Sequence, residues 1–259
     1  AGLKSVSESE INPIKYYKNN VYGSLILFEE MEAANVKNIV FSSSATVYGQ
    51  NRNALLTEED SLNPTNVYGR TKVVIENVLN DLYKTNSFWK ILILRYFNPI
   101  GAHSSGLIGE NPSDLPNNLL PFVSQVAVGK RNKLIVFGND YPTSDGTGKR
   151  DYIHVCDVAR AHLLSINYLF NNGESFLSIF NVGTGKSYSV LEVIKVFEEI
   201  AGVKIPFEIA GRRLGDVAEC LADPSKAKKI LRWESKFDLY RMCKDSWRWQ
   251  RLNPEGIQI

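Results

Sequence analysis

Lys90-Ile91-Leu92-Ile93-Leu94-Arg95-Tyr96 is an almost unbroken apolar run of strand length. Continuous rather than alternating apolarity predicts a strand covered on both faces, which is the habit of a parallel sheet. Upstream, Asn38-Ile39-Val40-Phe41 reads as another short buried strand. Between the two, behind a loop that contains Pro64, Thr71, Ile75, Val78, Leu79 and Leu82 recur at helical spacing. Strand, helix, strand in that order predicts a doubly wound α/β layer.

Working outward to the N-terminal side, Ile14, Tyr17, Val21, Leu25, Phe28 and Met31 follow Pro13 at spacings of three and four. They predict one helix with a single buried stripe, ending near Asn35. Beyond Pro99 the texture changes, with frequent Gly, Pro, Asn and Asp and shorter elements. A helix is expected over 119–128, a strand over 134–137, a loop over 139–149, a helix over 155–169 and a strand over 178–181. Ser189 and Glu192 stand at the spacing of a capping box, so a helix starts there and runs towards Ile200. Asp223 is placed to cap another short helix, and 239–250 forms the last. The change of texture divides the chain into residues 1–99 and a smaller lobe, 100–259, interleaved with the first part.

The bulk numbers exclude more than they identify. The chain has 259 residues, 44% hydrophobic and 22% charged, with a net charge of +2 and no run of like charges. Nucleic acid and membrane surfaces are therefore not the expected partners, and no apolar run has the length of a membrane span. Cys156, Cys220 and Cys243 are odd in number, far apart and not in a Cys-x-x-Cys pair. That argues against a disulfide framework and a metal site, and it suits a reducing, cytoplasmic compartment.

The chemistry is carried by Tyr68-Gly69-Arg70-Thr71-Lys72. A Tyr and a Lys four apart lie on one helix face, one turn from each other. A phenol is too weak an acid to serve as a base at neutral pH, and a nearby ammonium is expected to lower its pKa. Alone, the pair is more often the pattern of a packed Tyr beside a solvent-facing Lys. Its surroundings add weight: Ser42-Ser43-Ser44-Ala45-Thr46-Val47-Tyr48-Gly49 leaves one strand, and Arg95-Tyr96-Phe97-Asn98-Pro99 leaves the next. Gly183-Thr184-Gly185-Lys186-Ser187 has a superficial likeness to a phosphate-binding P-loop, but Phe180 stands where that motif requires Gly. It reads as a turn between a strand and a helix.

Together with Gly2-Leu3-Lys4, Pro116-Asn117-Asn118-Leu119, Phe137-Gly138-Asn139-Asp140-Tyr141, the run from Asp145 to His154, and Gly215-Asp216, these stretches occur in the order of one family. The chain resembles, over essentially its whole length, the UDP-glucose 4-epimerases of the extended short-chain dehydrogenase/reductase family. The resemblance implies an incomplete Rossmann-like doubly wound parallel sheet with a smaller C-terminal α/β substrate lobe. Residues 1–99 would be the remainder of the NAD-binding domain with the catalytic helix, and 100–259 mainly the nucleotide-sugar lobe. The implied reaction interconverts UDP-glucose and UDP-galactose by transient NAD-dependent oxidation at C4 of the hexose. A homodimer is implied for the complete protein.

Carried over by position, Tyr68 is the expected acid/base and Lys72 its electrostatic partner, with Ser44 bonding the reacting oxygen. Lys4, Asn19, Ser42, Tyr68, Lys72 and Tyr96 are expected to touch the cofactor. Ser44, Ala45, Thr46, Tyr96, Phe97 and Asn98 line the junction of cofactor and sugar. Asn117, Asn118 and Leu119 hold the diphosphate and uridine region, and Ile135, Val136 and Phe137 the uracil. Arg150 and Arg213 pair with the phosphates, where a guanidinium fork fits two oxygens, and Asp216 with Gly215 serves the uridine ribose. Leu214 departs from the Glu or Pro usual in relatives and is expected to act through its backbone. Cys220 stands where the family varies the wall beside C2 of the hexose. Each position has a plainer alternative: Arg150 with Asp151 as a surface pair, Asn118 as a helix cap, Asp216 as a turn residue, Cys220 as a core filler.

No Gly-x-x-Gly-x-x-Gly occurs in the sequence. The family's cofactor pyrophosphate rests on such a turn, so the first βαβ units are expected to lie outside these residues, and residues 1–259 by themselves to bind NAD weakly and lack turnover. Two rival readings stay open at this point. One is another NAD-dependent nucleotide-sugar enzyme, a dehydratase or decarboxylase, disfavoured by Ser43, Ser44 and Ala45 where dehydratases carry acidic residues. The other is a truncated relative that binds a nucleotide sugar without turning it over.

Overall fold

The computed structural model describes residues 2–50, 54–85, 88–112, 116, 118–213 and 215–257. Asn117 and Leu214, both expected at the substrate, lie outside the described residues. The elements run α1 (Val6–Ile11), α2 (Pro13–Tyr16), a π-helical segment (Tyr17–Tyr22), α3 (Gly23–Ala33), β1 (Asn38–Ser44), β2 (Leu55–Leu56), α4 (Val67–Thr85) and β3 (Lys90–Tyr96). Then come β4 (Asn98–Ile100), α5 (Leu119–Ala127), β5 (Leu134–Phe137), β6 (Lys149–His154), α6 (Val155–Asn171) and β7 (Phe176–Val182). The chain ends with β8 (Ser187–Ser189), α7 (Val190–Ala201), β9 (Phe207–Ala210), β10 (Glu219–Ala222), α8 (Ser225–Leu231) and α9 (Leu239–Leu252). Among the described residues no helix is long and apolar enough to cross a membrane.

Two compact units result. The first is Ala1–Phe97 with Ala161–Val182 and Asp223–Trp233; the second is Asn98–Arg160 with Gly183–Ala222 and Glu234–Ile259.

In the first unit β3 is the middle strand of a parallel sheet ordered β1-β3-β7. Ile91, Leu92 and Leu94 are 0% exposed and Ile93 1%, so the continuous apolar run is a strand covered on both faces. The register pairs Ser42 with Leu94, Ser43 with Arg95 and Ser44 with Tyr96. Side chains alternate along a strand, which sends Ser42, Ser44 and Tyr96 to one face and Ser43 and Arg95 to the other. Phe28 of α3 and Ile75 and Leu79 of α4 pack with Trp89, Ile91 and Ile93 on that second face. The buried Arg95 guanidinium is matched there by Glu76 of α4, which also accepts from Ser43 Oγ.

Only part of the expected stripe on the first long helix is buried: Phe28 is in the core with Val21 and Met31 packed against it. Ile14 is 80% exposed, Tyr17 38% and Leu25 37%, and at the start of the helix Tyr16 and Asn20 face inward instead. The reason is the π-helical turn at Tyr17–Tyr22: its wider winding shifts the phase against an ideal helix. Polar Asn20 is carried inward by the hydrogen bonds it makes, donating to Leu3 O at 2.9 Å and accepting from Leu3 N at 2.8 Å. Apolar periodicity carries no trace of such a residue.

The second unit is built on β6, paired in parallel with β10 and β4 and antiparallel with β8, beside a separate parallel pair β5-β9. Its core joins Leu120, Val123, Leu134, Val136, Val193, Phe197, Leu239 and Met242. α7 starts with the expected reciprocal capping box between Ser189 and Glu192 and ends on Gly202 in the left-handed region (φ 71°). Asp223 lies one residue before the N-cap of α8, which is Pro224, and still accepts from Ser225 N at 2.9 Å.

Candidate active site

The first unit brings Tyr68, Lys72, Ser44, Ser42 and Tyr96 together. The opening amides of α4 are satisfied from three sources: Glu10 Oε1 accepts from Val67 N at 2.6 Å, Ser9 Oγ from Tyr68 N at 3.1 Å and Asn66 Oδ1 from Gly69 N at 2.8 Å. A helix start with its orphan donors so occupied is held in place. Gly69 lets α4 press against the turn after β1, since a Cβ there would lie 2.7 Å from Thr46 O. That approach sets the Tyr68 phenol beside Ser44, whose hydroxyl draws the phenol's pKa down. Ser44 Oγ in turn accepts from Thr46 N at 3.2 Å and Thr46 Oγ1 at 3.0 Å. Half-buried Ala45 opens the same short turn, and Phe97 is buried, its amide on Val182 O at 3.1 Å.

Lys72 is buried, contrary to the plain picture of a solvent-facing lysine. Its Nζ donates to Ser42 O at 2.8 Å and lies 4.9 Å over the Phe41 ring and 5.7 Å over that of Tyr68. Burial pulls its pKa down to about 8, with the charge of Glu76 one turn on acting in the opposite direction. Tyr68 departs from expectation. Burial pushes the phenol up and the neighbouring Ser44 hydroxyl draws it down, while Lys72 is not among the groups that shift it. The ammonium is turned to the Ser42 carbonyl, so desolvation of the phenol wins.

Lys4 and Asn19 are both exposed. Asn19 Nδ2 bonds Asn20 Oδ1 at 2.9 Å, and a Cβ on Gly2 would lie 3.9 Å from Lys72 Nζ, which puts the 2–4 segment beside the lysine. Two further residues here escape sequence reasoning: Asn20, which also reaches Thr71 Oγ1 at 3.3 Å, and His162 of α6, 2.6 Å from Tyr96 OH. Neither belongs to a local motif.

In the second unit two guanidinium groups share one carboxylate. Arg213 Nε stands 3.0 Å from Asp216 Oδ2 and Arg150 Nη2 3.6 Å from Oδ1. Arg150 also donates to Lys149 O and Val217 O, each at 2.8 Å, and Arg213 lies 4.8 Å over the Phe137 ring. Gly215 takes φ 84°, the turn that returns Asp216 N to Arg213 O. Arg150 does not pair with Asp151, which is buried and accepts from Thr184 N at 2.8 Å, Gly185 N at 3.0 Å and Ala222 N at 3.1 Å. The amides of the P-loop-like turn are thereby occupied, and it leads into β8 before the helix.

Of the strand expected at the uracil, Val136 is buried while Ile135 and Phe137 are turned outward, so Val136 can offer only its backbone there. Asn118 occupies the N-cap position before Leu119 of α5 without capping it; its Nδ2 donates to Glu110 Oε1 at 3.1 Å. Asn98 of β4 is exposed. Cys220 pairs laterally with Arg150 across β10 and β6, and burial raises its thiol to about 11.

Known proteins resemble the chain over nearly its whole length. The family model described as GDP-mannose 4,6 dehydratase matches residues 1–246. The UDP-glucose 4-epimerase of Bacillus subtilis (strain 168) is 54% identical over 258 residues, covering 100% of this chain and 76% of that protein. The chain belongs to the UDP-glucose 4-epimerase family. The family's solved structures superimpose closely: that from Bifidobacterium longum, in complex with NAD+ and UDP, gives a TM-score of 0.95 at 48% identity over 99% of this chain and 76% of its own. The enzyme from Stenotrophomonas maltophila, with bound NAD and formylated UDP-arabinopyranose, gives 0.94 at 49% over 98% of this chain and 75% of its own. The sheet is thus the Rossmann-like layer of the epimerases, as its apolar run predicts.

Proposed function

We propose that this chain carries the catalytic pair and the nucleotide-sugar contacts of an NAD-dependent enzyme interconverting UDP-glucose and UDP-galactose. The observation that carries the reading is the buried Lys72 ammonium, 5.7 Å over the Tyr68 ring and held on Ser42 O, with the Ser44 hydroxyl beside the phenol. Lys72 donates one hydrogen bond to protein, to Ser42 O, so two of its three protons have no acceptor among the described residues. A buried ammonium so placed fits a ribose hydroxyl, and Lys72, Tyr68, Ser42 and Tyr96, with Lys4 and Asn19 from the N-terminal segment, suit the nicotinamide half of the cofactor. NAD, when bound, accepts the hydride from C4 and returns it to the other face of the 4-keto sugar.

The protein's own part is to bind, orient and move one proton. Ser44 hydrogen-bonds the 4-oxygen, and Tyr68 takes its proton as C4 is oxidised and gives it back on reduction. The resting phenol keeps its proton, so the base form arises in the complex, where the Lys72 charge favours it. In the second unit Arg150 and Arg213 take the diphosphate and Asp216 the ribose. Asn118, Leu119 and the edge of β5 complete the recognition of UDP, with Asn117 and Leu214 assigned by family position; Asn98 lines the junction of cofactor and sugar, and Cys220 faces the hexose.

We extend the proposal to a cytoplasmic homodimer. The free state of Cys156, Cys220 and Cys243 supports a reducing compartment, and the exposed Ile14, Tyr22 and Leu27 support a face that is covered in the assembly. Sedimentation of the complete protein measures the latter.

Tyr68→Phe in the complete protein tests the core of the reading. It removes only the ionisable oxygen, so turnover falls by about a hundredfold or more while UDP-sugar affinity is kept. Turnover within a few-fold of the parent takes Tyr68 out of the reaction.

A further inference from the structure

Three polar atoms from three elements of the first unit meet at the open ends of the strands. Tyr96 OH lies 2.6 Å from both Ser42 Oγ and His162 Nε2, and Ser42 Oγ lies 3.2 Å from the same nitrogen. The rings of Tyr96 and His162 are 5.5 Å apart between centroids and inclined at 57°. None of these bonds is local: His162 comes from α6, Ser42 from β1 and Tyr96 from β3.

The hydrogens of this triangle are set by the imidazole. A phenol and a serine hydroxyl each hold one proton, while Nε2 either accepts or donates. With Nε2 accepting, both hydroxyl protons turn inward, along two edges of the triangle. With Nε2 donating to Tyr96, the phenol donates to Ser42 and the Ser42 proton turns out. The phenol donates to Ser42 in this structure, so His162 decides where the Ser42 proton points.

Both hydroxyls belong to residues that hold the catalytic pair. Ser42 supplies the carbonyl on which Lys72 Nζ rests, at 2.8 Å. Tyr96 is the register partner of Ser44, whose hydroxyl stands beside the Tyr68 phenol. We propose that His162 is a positioning residue for the epimerisation: by pinning Tyr96 and Ser42 it fixes the strand ends that carry Lys72 and Ser44. This rests on the functional reading above. It touches no reacting atom, so its effect is on the geometry of the pair and not on the binding of the nucleotide.

The experiment compares His162→Leu and His162→Gln in the complete protein with NAD bound. Leu fills the space without a polar atom, whereas the Gln amide restores one near the position of Nε2. For the Leu variant kcat falls about tenfold to a hundredfold, the scale of a small misplacement of reacting groups, while KM for the UDP-sugar stays within about twofold. The Gln variant recovers most of kcat, and the two variants unfold at similar temperatures. An active parent with a silent Leu variant overturns the positioning role alone, as does a loss that follows KM or is not relieved by Gln. A parent with no turnover overturns the functional reading, and this role with it. Nitrogen-15 NMR supplies a separate check: the His162 Nε2 resonance shifts in Tyr96→Phe, and an unmoved resonance refutes the triangle.

Discussion

Glu76 of α4 and Arg95 of β3 meet inside the first unit as a two-pronged ion pair, Arg95 Nη2 at 2.7 Å from Oε2 and Nε at 3.1 Å from Oε1. Both side chains are nearly inaccessible, 4% and 3% exposed. Arg95 also donates to Tyr48 OH at 3.0 Å, which donates to Asn181 Oδ1 of β7 at 2.7 Å. One carboxylate thus ties α4 to all three strands.

Glu76→Gln leaves the Arg95 charge buried without its counter-ion. We expect a loss of about 3–5 kcal/mol in unfolding free energy, and a much smaller loss for the doubly neutral Glu76→Gln/Arg95→Met. Urea unfolding of both variants is the measurement, and equal losses would contradict the pairing.

Lys72 is the group whose pH dependence has a definite sign. Its folded-state pKa of about 8 lies below the unfolded value, near 10.5. Between these pH values the unfolded chain binds more protons, so the lysine's contribution to stability rises with pH across that window. Below pH 8 its full desolvation cost is present. Lys72→Met removes that cost, so the variant gains more stability over the parent at pH 7 than at pH 10, although it loses turnover. Thermal unfolding at the two pH values checks this, and an equal difference at both would show that Lys72 is not strained by burial.

Arg150 and Arg213 are already oriented by Asp216 and by carbonyl oxygens. Each Ala substitution is expected to weaken UDP binding by about 1.5–3 kcal/mol, the scale of a charge-assisted hydrogen bond. Calorimetry reads this directly. Unchanged affinity in both variants would remove the second unit's arginines from diphosphate recognition.

Cys220 is small, half-buried and lateral to Arg150. If it walls the space beside C2 of the hexose, the complete enzyme accepts UDP-N-acetylglucosamine, and Cys220→Tyr rejects that sugar while sparing UDP-glucose. Equal retention of both activities in the Tyr variant would place the thiol elsewhere.

What could be read from residue order alone was whatever depends on neighbours along the chain. The apolar run 91–94 has no polar face to offer water, so it had to be a central parallel strand. The Ser189/Glu192 box closes within one turn, and the Tyr68/Lys72 spacing places both on one helix face whatever surrounds them. The family followed from blocks of sequence held in order. Other features required partners brought together from far along the chain. The π-helical turn moved the buried line to Tyr16 and Asn20, because Asn20 finds its hydrogen bonds on Leu3 and Thr71. Lys72 reads locally as a surface lysine, yet α4 presses it between Phe41 and the Ser42 carbonyl, where desolvation governs its charge. His162 has no motif at all; 66 residues separate it from Tyr96, and only the folding of α6 over the strand ends makes it a hydrogen-bond partner. Periodicity and capping are short-range and repeat wherever the pattern does, whereas the pairing of buried polar groups is settled by which distant atoms exclude water together.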